Sequence, residues 1–263
     1  MDKATWGGIA LALGGIIAGL LLEGGKLSQV MQPTAALIVF GGTLGAVLIQ
    51  FPLGEAVGAC KSLVQIFVEP SLNPQRVIQD LVRFAIKARR QGIVSLDQEL
   101  DKISDEFLKR SLMLAVDGTE PDEVRKIMEL ELDRKAEHDE RVPLVFESAG
   151  GFAPTVGIIG AVLGLIQTMQ HLDKIDEVGR GIAVAFVATI YGVGSANLFF
   201  LPSAGKLRIR LREEQILHEM TLEGVISILE GINPHMLEAK MRSFLAEQTS
   251  MKERAKAAAA TGA

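Results

Sequence analysis

The chain has 263 residues, 48% hydrophobic and 22% charged, with a net charge of −5 and a mean hydropathy of +0.29. That composition excludes a disordered, collagen-like or disulfide-stapled chain, and one cysteine, Cys60, forms no intrachain disulfide. An acidic balance with 5% aromatics gives no sign of nucleic acid as a partner.

The charges are unevenly placed. Four segments hold none: Ala4 to Leu22, Pro33 to Leu53, Ser148 to Gln170 and Gly181 to Gly205. An uncharged apolar run of about 20 residues, rising about 1.5 Å each, matches the ~30 Å hydrocarbon core of a bilayer. The sequence therefore predicts an all-α polytopic membrane protein with four transmembrane helices. The first run is too long for a signal-peptide core and ends in Leu-Leu-Leu-Glu-Gly-Gly, a poor cleavage site, so it reads as a retained helix.

Orientation is read from Lys and Arg. Gly54 to Glu147 carries 14 and Lys206 to Ala263 carries 9, whereas the connections Glu23 to Gln32 and His171 to Arg180 carry 1 and 2. The positive-inside tendency puts the long loop, the tail and both termini in the cytoplasm. Lys206, Arg208, Arg210 and Arg212, directly after the fourth span, weigh most.

Four regions follow. Residues 1–53 hold the first two spans, 54–147 a cytoplasmic helical domain, 148–205 the third and fourth spans, and 206–263 a cytoplasmic helical tail with a disordered end. In the second region, Asn73 to Gln91 places Val77, Leu81, Phe84 and Ala88 on one helical face, and Gly92 stops that helix. Ser95 reads as the N-cap of a restart, and a further helix follows to Val116. Gly118 and Thr119 break the chain again, and Pro121 suits the first turn of a helix running toward the third span. After the fourth span, helical periodicity continues to Ile232, with Asn233-Pro234 as its end. The last two spans thus read as the membrane halves of two long helices extending into the cytoplasm. Lys252 to Ala263 is low-complexity and reads as frayed.

Gly15/Gly19, Gly41/Gly45 and Gly160/Gly164 are Gly-x-x-x-Gly pairs, suited either to an oligomer or to packing within one chain. Pro154 and Pro202 stand at the inner ends of the last two spans, where a proline is tolerated whether or not it is functional. With the fourth span entering near Gly181, Thr189 lies about 12 Å deep at 1.5 Å per residue, and Ala161 of the third span lies level with it. Thr155 is a further hydroxyl of the third span. No span carries Asp, Glu, Lys, Arg or His, so if the chain moves ions, the carrier carboxylate belongs to another polypeptide. The four histidines are dispersed without ligand spacing, and no metal, cofactor or catalytic group is expected.

These features together resemble the MotA family of flagellar motor stator proteins. The resemblance rests on Gly24-Gly-Lys-Leu-Ser-Gln-Val-Met-Gln-Pro-Thr-Ala35, Lys87-Ala-Arg-Arg-Gln-Gly-Ile-Val-Ser-Leu-Asp97, Ala153-Pro-Thr-Val-Gly-Ile-Ile-Gly-Ala-Val-Leu-Gly164, Ala185-Phe-Val-Ala-Thr-Ile-Tyr-Gly192 and Leu201-Pro202. It implies a non-enzymatic ion channel of the bacterial inner membrane, in contact with membrane lipid. Five copies would surround a dimer of a MotB-like partner whose transmembrane Asp carries the ion, and the ring would turn the rotor protein FliG. It also implies roles for Pro154 and Pro202 in coupling at the channel end, for Thr189, Ala161 and Thr155 along the ion path, and for Arg89 and Asp97 at the rotor. On spacing alone, Arg89 and Asp97 read as a solvated helix face and a cap-adjacent acid. Sodium-driven relatives resemble this chain but carry Thr where Ala161 stands, which implies protons here. The alternatives are an ExbB/TolQ-like energiser, whose usual three spans fit poorly, and a membrane transporter subunit.

Overall fold

The computed structural model describes residues 2–68 and 73–245. The fraying expected over Lys252 to Ala263 lies outside them. The described chain is helical, without strands among the described residues, and it divides into two compact units. One comprises Met1–Pro70 and Asp139–Arg210, the other Ser71–His138 and Leu211–Ala263.

In the first unit, α1 is Lys3–Leu22, α2 is the short Leu27–Val30, α3 is Pro33–Gln50 and α4 is Leu53–Phe67. The Asp2 carboxylate starts α1 by accepting from the Ala4 and Thr5 amides at 3.0 and 3.3 Å. Phe51-Pro52 breaks α3 from α4, so the second span ends at Gln50 rather than Leu53. Val47, Phe51, Ala59, Ile66, Phe146, Ala149 and Leu207 form its larger core.

In the second unit, α5 is Pro74–Gln91, with Asn73 accepting from the Arg76 amide and Gly92 closing it at φ 81°. Ser95 is not an N-cap. It sits inside a 3₁₀ turn, Ile93–Leu96, and its hydroxyl donates back to the Gly92 carbonyl at 2.7 Å. The restart is the short α6, Asp97–Leu100, and the further helix to Val116 is α7, Glu106–Val116, which is capped by Asp105. Ile78, Leu81, Phe84, Leu96, Leu112, Met220, Leu237 and Met241 make the main core of this unit. His218 is buried and stacks on Phe107 at 4.6 Å between ring centroids.

Two helices contribute to both units. α8 is a continuous helix, Pro121–Gln170, and α10 is Leu201–Leu229; α9, Ile175–Ser195, joins α10 through a π turn, Ala196–Phe200. Pro154 and Pro202 are therefore helix-interior residues, not residues of helix ends. Asn233-Pro234 does not end α10 either: it stops at Leu229, Gly231 takes φ 73°, and Pro234 opens α11, residues 234–245. α1, α3, α8 and the joined α9–α10 helix are each long and apolar enough to cross a membrane.

Candidate functional site

The third and fourth spans meet along a seam of small residues. A Cβ on Gly157 would stand 3.2 Å from the Gly192 Cα, one on Gly160 2.8 Å from the Ala188 Cβ, and one on Gly164 2.8 Å from the Gly181 carbonyl oxygen. Without side chains there, α8 and α9 approach nearly backbone to backbone, which gains dispersion contact where lipid offers no hydrophobic driving force. Gly160/Gly164 thus serves packing within the chain, whereas Gly15, Gly19, Gly41 and Gly45 have no described atom within 4 Å of a would-be Cβ.

The seam fixes which residues lie beside it. Residues 153, 157, 160 and 164 of α8 face 181, 185, 188 and 192 of α9 in antiparallel order. A helix turns about 100° per residue, so the residue after each seam position moves to the same side of an antiparallel pair. Ala161 and Thr189 therefore share one side at one level. Pro154, Ile158 and Leu165 of α8, and Ile182, Phe186 and Val193 of α9, extend that side along the pair.

The opposite side is covered by α3. Ala35 and Val39 pack on Val187 and Ala188, with Val184 and Tyr191 beside them, and Gly42 admits Val156. The Tyr191 hydroxyl donates to the Val30 carbonyl at 2.6 Å and accepts from the Gln32 amide at 3.3 Å, and its ring stacks on Phe40. Among the described residues nothing comparable covers the Thr189 side: Phe186 is 69% exposed and Ile158 58%. Thr189 carries the only hydroxyl among the residues just placed there, and it donates to the Ala185 carbonyl at 3.2 Å. The structure does not bring Thr155 to this wall. Thr155 lies on the back of α8, away from α9, and its hydroxyl donates to the Phe152 carbonyl at 2.8 Å.

The two prolines belong to one contact. A proline lacks an N–H and crowds the carbonyl four residues earlier, here Gly150 for Pro154 and Leu198 for Pro202. Before Pro202 the helix widens into the π turn, where the Leu201 amide donates to the Ala196 carbonyl. Gly150 leaves room for Leu201, whose side-chain carbons stand 2.6 and 2.7 Å from a would-be Cβ. The π turn and this contact gave no signal in the sequence.

In the second unit, Arg89 lies in the last turn of α5 and Asp97 opens α6; both are exposed, as is Arg90, which the sequence reading left out of the site. None of the three forms an ion pair among the described residues. Close by in sequence, Lys87 pairs with Glu99 at 2.7 Å, and this hydrogen bond, with help from Lys102, holds the Glu99 carboxyl below its usual range. Where the α5–α6 turn ends its own pairing, it leaves two cations and one anion facing solvent.

These features define a class: a polytopic helical membrane protein with a glycine-seamed helix pair, one side of it bare, and no Asp, Glu, Lys, Arg or His in its uncharged runs. Residues 6–92 match the family described as motility protein A N-terminal, and residues 99–220 the MotA/TolQ/ExbB proton channel family. The chain is 36% identical to motility protein A of Bacillus subtilis, over 96% of this chain and 94% of that one. Its fold matches the C. jejuni MotAB structure with a TM-score of 0.88 at 33% identity, covering 93% of this chain and 96% of that one. It matches the flagellar MotAB stator complex of Bacillus subtilis with a TM-score of 0.86 at 35% identity, covering 95% and 99%. The chain belongs to the motility protein A branch of the MotA/TolQ/ExbB family and is a membrane-embedded protein.

Proposed function

We propose that the chain is a stator subunit of the bacterial flagellar motor, forming with a MotB-like partner an ion channel that converts ion flow into torque. The observation that carries this reading is the bare side of the α8–α9 pair: an apolar wall with Thr189 and Ala161 level on it and no Asp, Glu, Lys, Arg or His in any of the four uncharged runs. Such a wall cannot hold and release an ion alone. It suits a partner helix whose Asp carries the ion, with five copies of this chain surrounding a partner dimer in the inner membrane and both termini cytoplasmic.

Protonating a carboxylate in that setting removes a charge that is costly in lipid and changes which wall it prefers. Each ion then biases the ring toward its next position. The paired proline turns at Gly150–Leu201 are the region that yields, and Pro154 and Pro202 act there as coupling residues. Thr155, on the back of α8, is given no contact with the ion in this reading. Residues 54–147 form the rotor-facing part, where Arg89 and Asp97 meet charges of opposite sign on FliG, and 206–263 form a cytoplasmic tail.

Protons are the coupling ion, because the methyl of Ala161 cannot replace part of a sodium ion's water shell. The test is co-expression with a MotB-like partner in a strain lacking any stator. Copurification and restored swimming are expected, with rotation unaffected when external sodium is replaced by potassium. Absence of swimming despite copurification overturns the motor reading; arrest in potassium overturns the proton assignment. Arg89→Glu is expected to leave copurification intact and abolish torque, and unchanged torque removes that residue from the rotor face.

A further inference from the structure

α1 meets the rest of its unit mainly near its ends. At the N-terminal end Lys206 contacts the Asp2 carboxylate and the Thr5 hydroxyl, Arg210 reaches Asp2 at 3.3 Å, and the Trp6 and Phe67 rings lie 5.2 Å apart. Deeper in the membrane the helix parts from the bundle and leaves an open cavity of about 480 Å³. Gly8, Ile9 and Ala12 form one wall, and Leu198, Phe199 and Pro202 the other.

Three properties of this cavity select its occupant. Its walls are mostly apolar, with Asn197 and Ser203 the polar residues on the far wall, and they reach from Thr5 to Ala12, about 10 Å into the hydrocarbon at 1.5 Å per residue. Water gains too little there to fill it, and an empty void forfeits dispersion contacts. A whole helix, ~10–12 Å across, would use this volume in roughly one turn, so the space suits a narrower body. Lys206 lines the mouth and Arg210 lies one helical turn beyond it; both contact the Asp2 carboxylate, so among the described residues two cations there meet one anion.

The geometry points to a bound anionic phospholipid of the leaflet facing the N-terminus, with one acyl chain between α1 and the π turn and its phosphate at Lys206 and Arg210. Basic pockets between transmembrane helices recognise anionic headgroups in this way. The acyl chain touches Pro202 and the π turn, so the lipid fills the space into which that turn would relax. The inference depends on the chain being membrane-embedded and not on its role in a motor.

The test uses the complex with its partner, reconstituted in vesicles of phosphatidylglycerol and phosphatidylcholine and then extracted for native mass spectrometry of retained lipid. Ala12→Phe is expected to abolish retention of both lipids while assembly persists. Asp2→Asn keeps a capping side chain but frees both cations, and it is expected to raise the preference for phosphatidylglycerol about fivefold; Arg210→Gln is expected to lower it about as much. If Asp2 and Arg210 only clamp α1, both variants reduce retention together, and the proposal fails. It also fails if Ala12→Phe retains lipid unchanged, or if a cysteine at position 12 crosslinks to a neighbouring copy, placing a protein side chain in the cavity.

Discussion

The two sides of the α8–α9 pair are built from the same kinds of residue and end in opposite states. On one side α3 seals the pair with Ala35 and Val39, and Tyr191 ties it to the segment that leads into that helix. On the other, Ile158, Phe186 and Val193 stay exposed and Thr189 has only its own helix to bond to. Apolar character alone therefore does not decide which surface is core. What decides it is whether the chain supplies a cover, and a bare side that keeps one hydroxyl is a surface left for another polypeptide.

The largest expected effect comes from breaking the seam on which both sides depend. A Cβ at Gly192 would stand 2.6 Å from the Ala153 carbonyl oxygen, a backbone atom that cannot move aside. Gly192→Val is expected to separate the helices at a cost of about 3 kcal/mol or more, the upper range for overpacking. Copurification with the partner and membrane abundance should fall together. Normal abundance with normal ion flux would mean that the seam does not set the geometry of the wall.

Thr189→Val addresses the bare side alone. The hydroxyl's only bond is to Ala185 within its own helix, and the shape is kept, so thermal stability should hardly change. Ion flux in vesicles is expected to fall by about tenfold, the equivalent of ~1.4 kcal/mol, if the hydroxyl assists the partner's carboxylate. Unchanged flux would reduce Thr189 to a space-filling residue.

The sequence revealed the four spans because charge is excluded from lipid and crowded elsewhere, and it revealed α5 because Asn73 and Gly92 are unambiguous caps. It did not reveal α4, where Glu55 and Lys61 interrupt the apolar pattern just after the break at Phe51-Pro52. Pro234 misled for a related reason: a proline after a helix and a proline in the first turn of the next look alike until the break at Gly231 is seen. The level shared by Ala161 and Thr189 was readable from 1.5 Å per residue, and their sidedness follows from the glycine register. The placement of Thr155 on the back of α8 follows from the same register, which the sequence alone does not supply because it depends on which glycines meet. Likewise the π turn depends on the packing of Leu201 against Gly150, a tertiary contact with no local signature.

On the covered side a smaller effect is expected. Thr43 continues the α3 stripe of Ala35 and Val39, is buried, and has a hydroxyl oxygen without a hydrogen-bond partner among the described residues. Thr43→Val keeps the shape and removes an unpaired polar group, which should raise stability by about 1 kcal/mol. The readout is the thermal midpoint of the purified complex, with ion flux unchanged. Loss of flux in this variant would show that the covered side also takes part in the ion path, and the contrast between the two sides would no longer hold.

The smallest expected effect lies outside the pair, at the foot of α1, where cover is supplied by charge. The hydrogen bond from Lys206, against some opposition from desolvation and with help from the Thr5 and Ala4 amides, lowers the Asp2 carboxyl to about 2 from an ordinary 3.8. A carboxylate held low in the folded chain contributes fully above its ordinary value and loses that contribution as pH falls toward the lowered one. Trp6 is the only tryptophan and its ring lies tilted against Phe67, so its fluorescence reports on this end of α1. Emission should stay level from neutral pH to about 3.8, change between there and about 2, and lose that step in Asp2→Asn. A step centred well above 3.8 would mean that another group holds α1 in place, and that its attachment follows a logic different from the ion pairs at its foot.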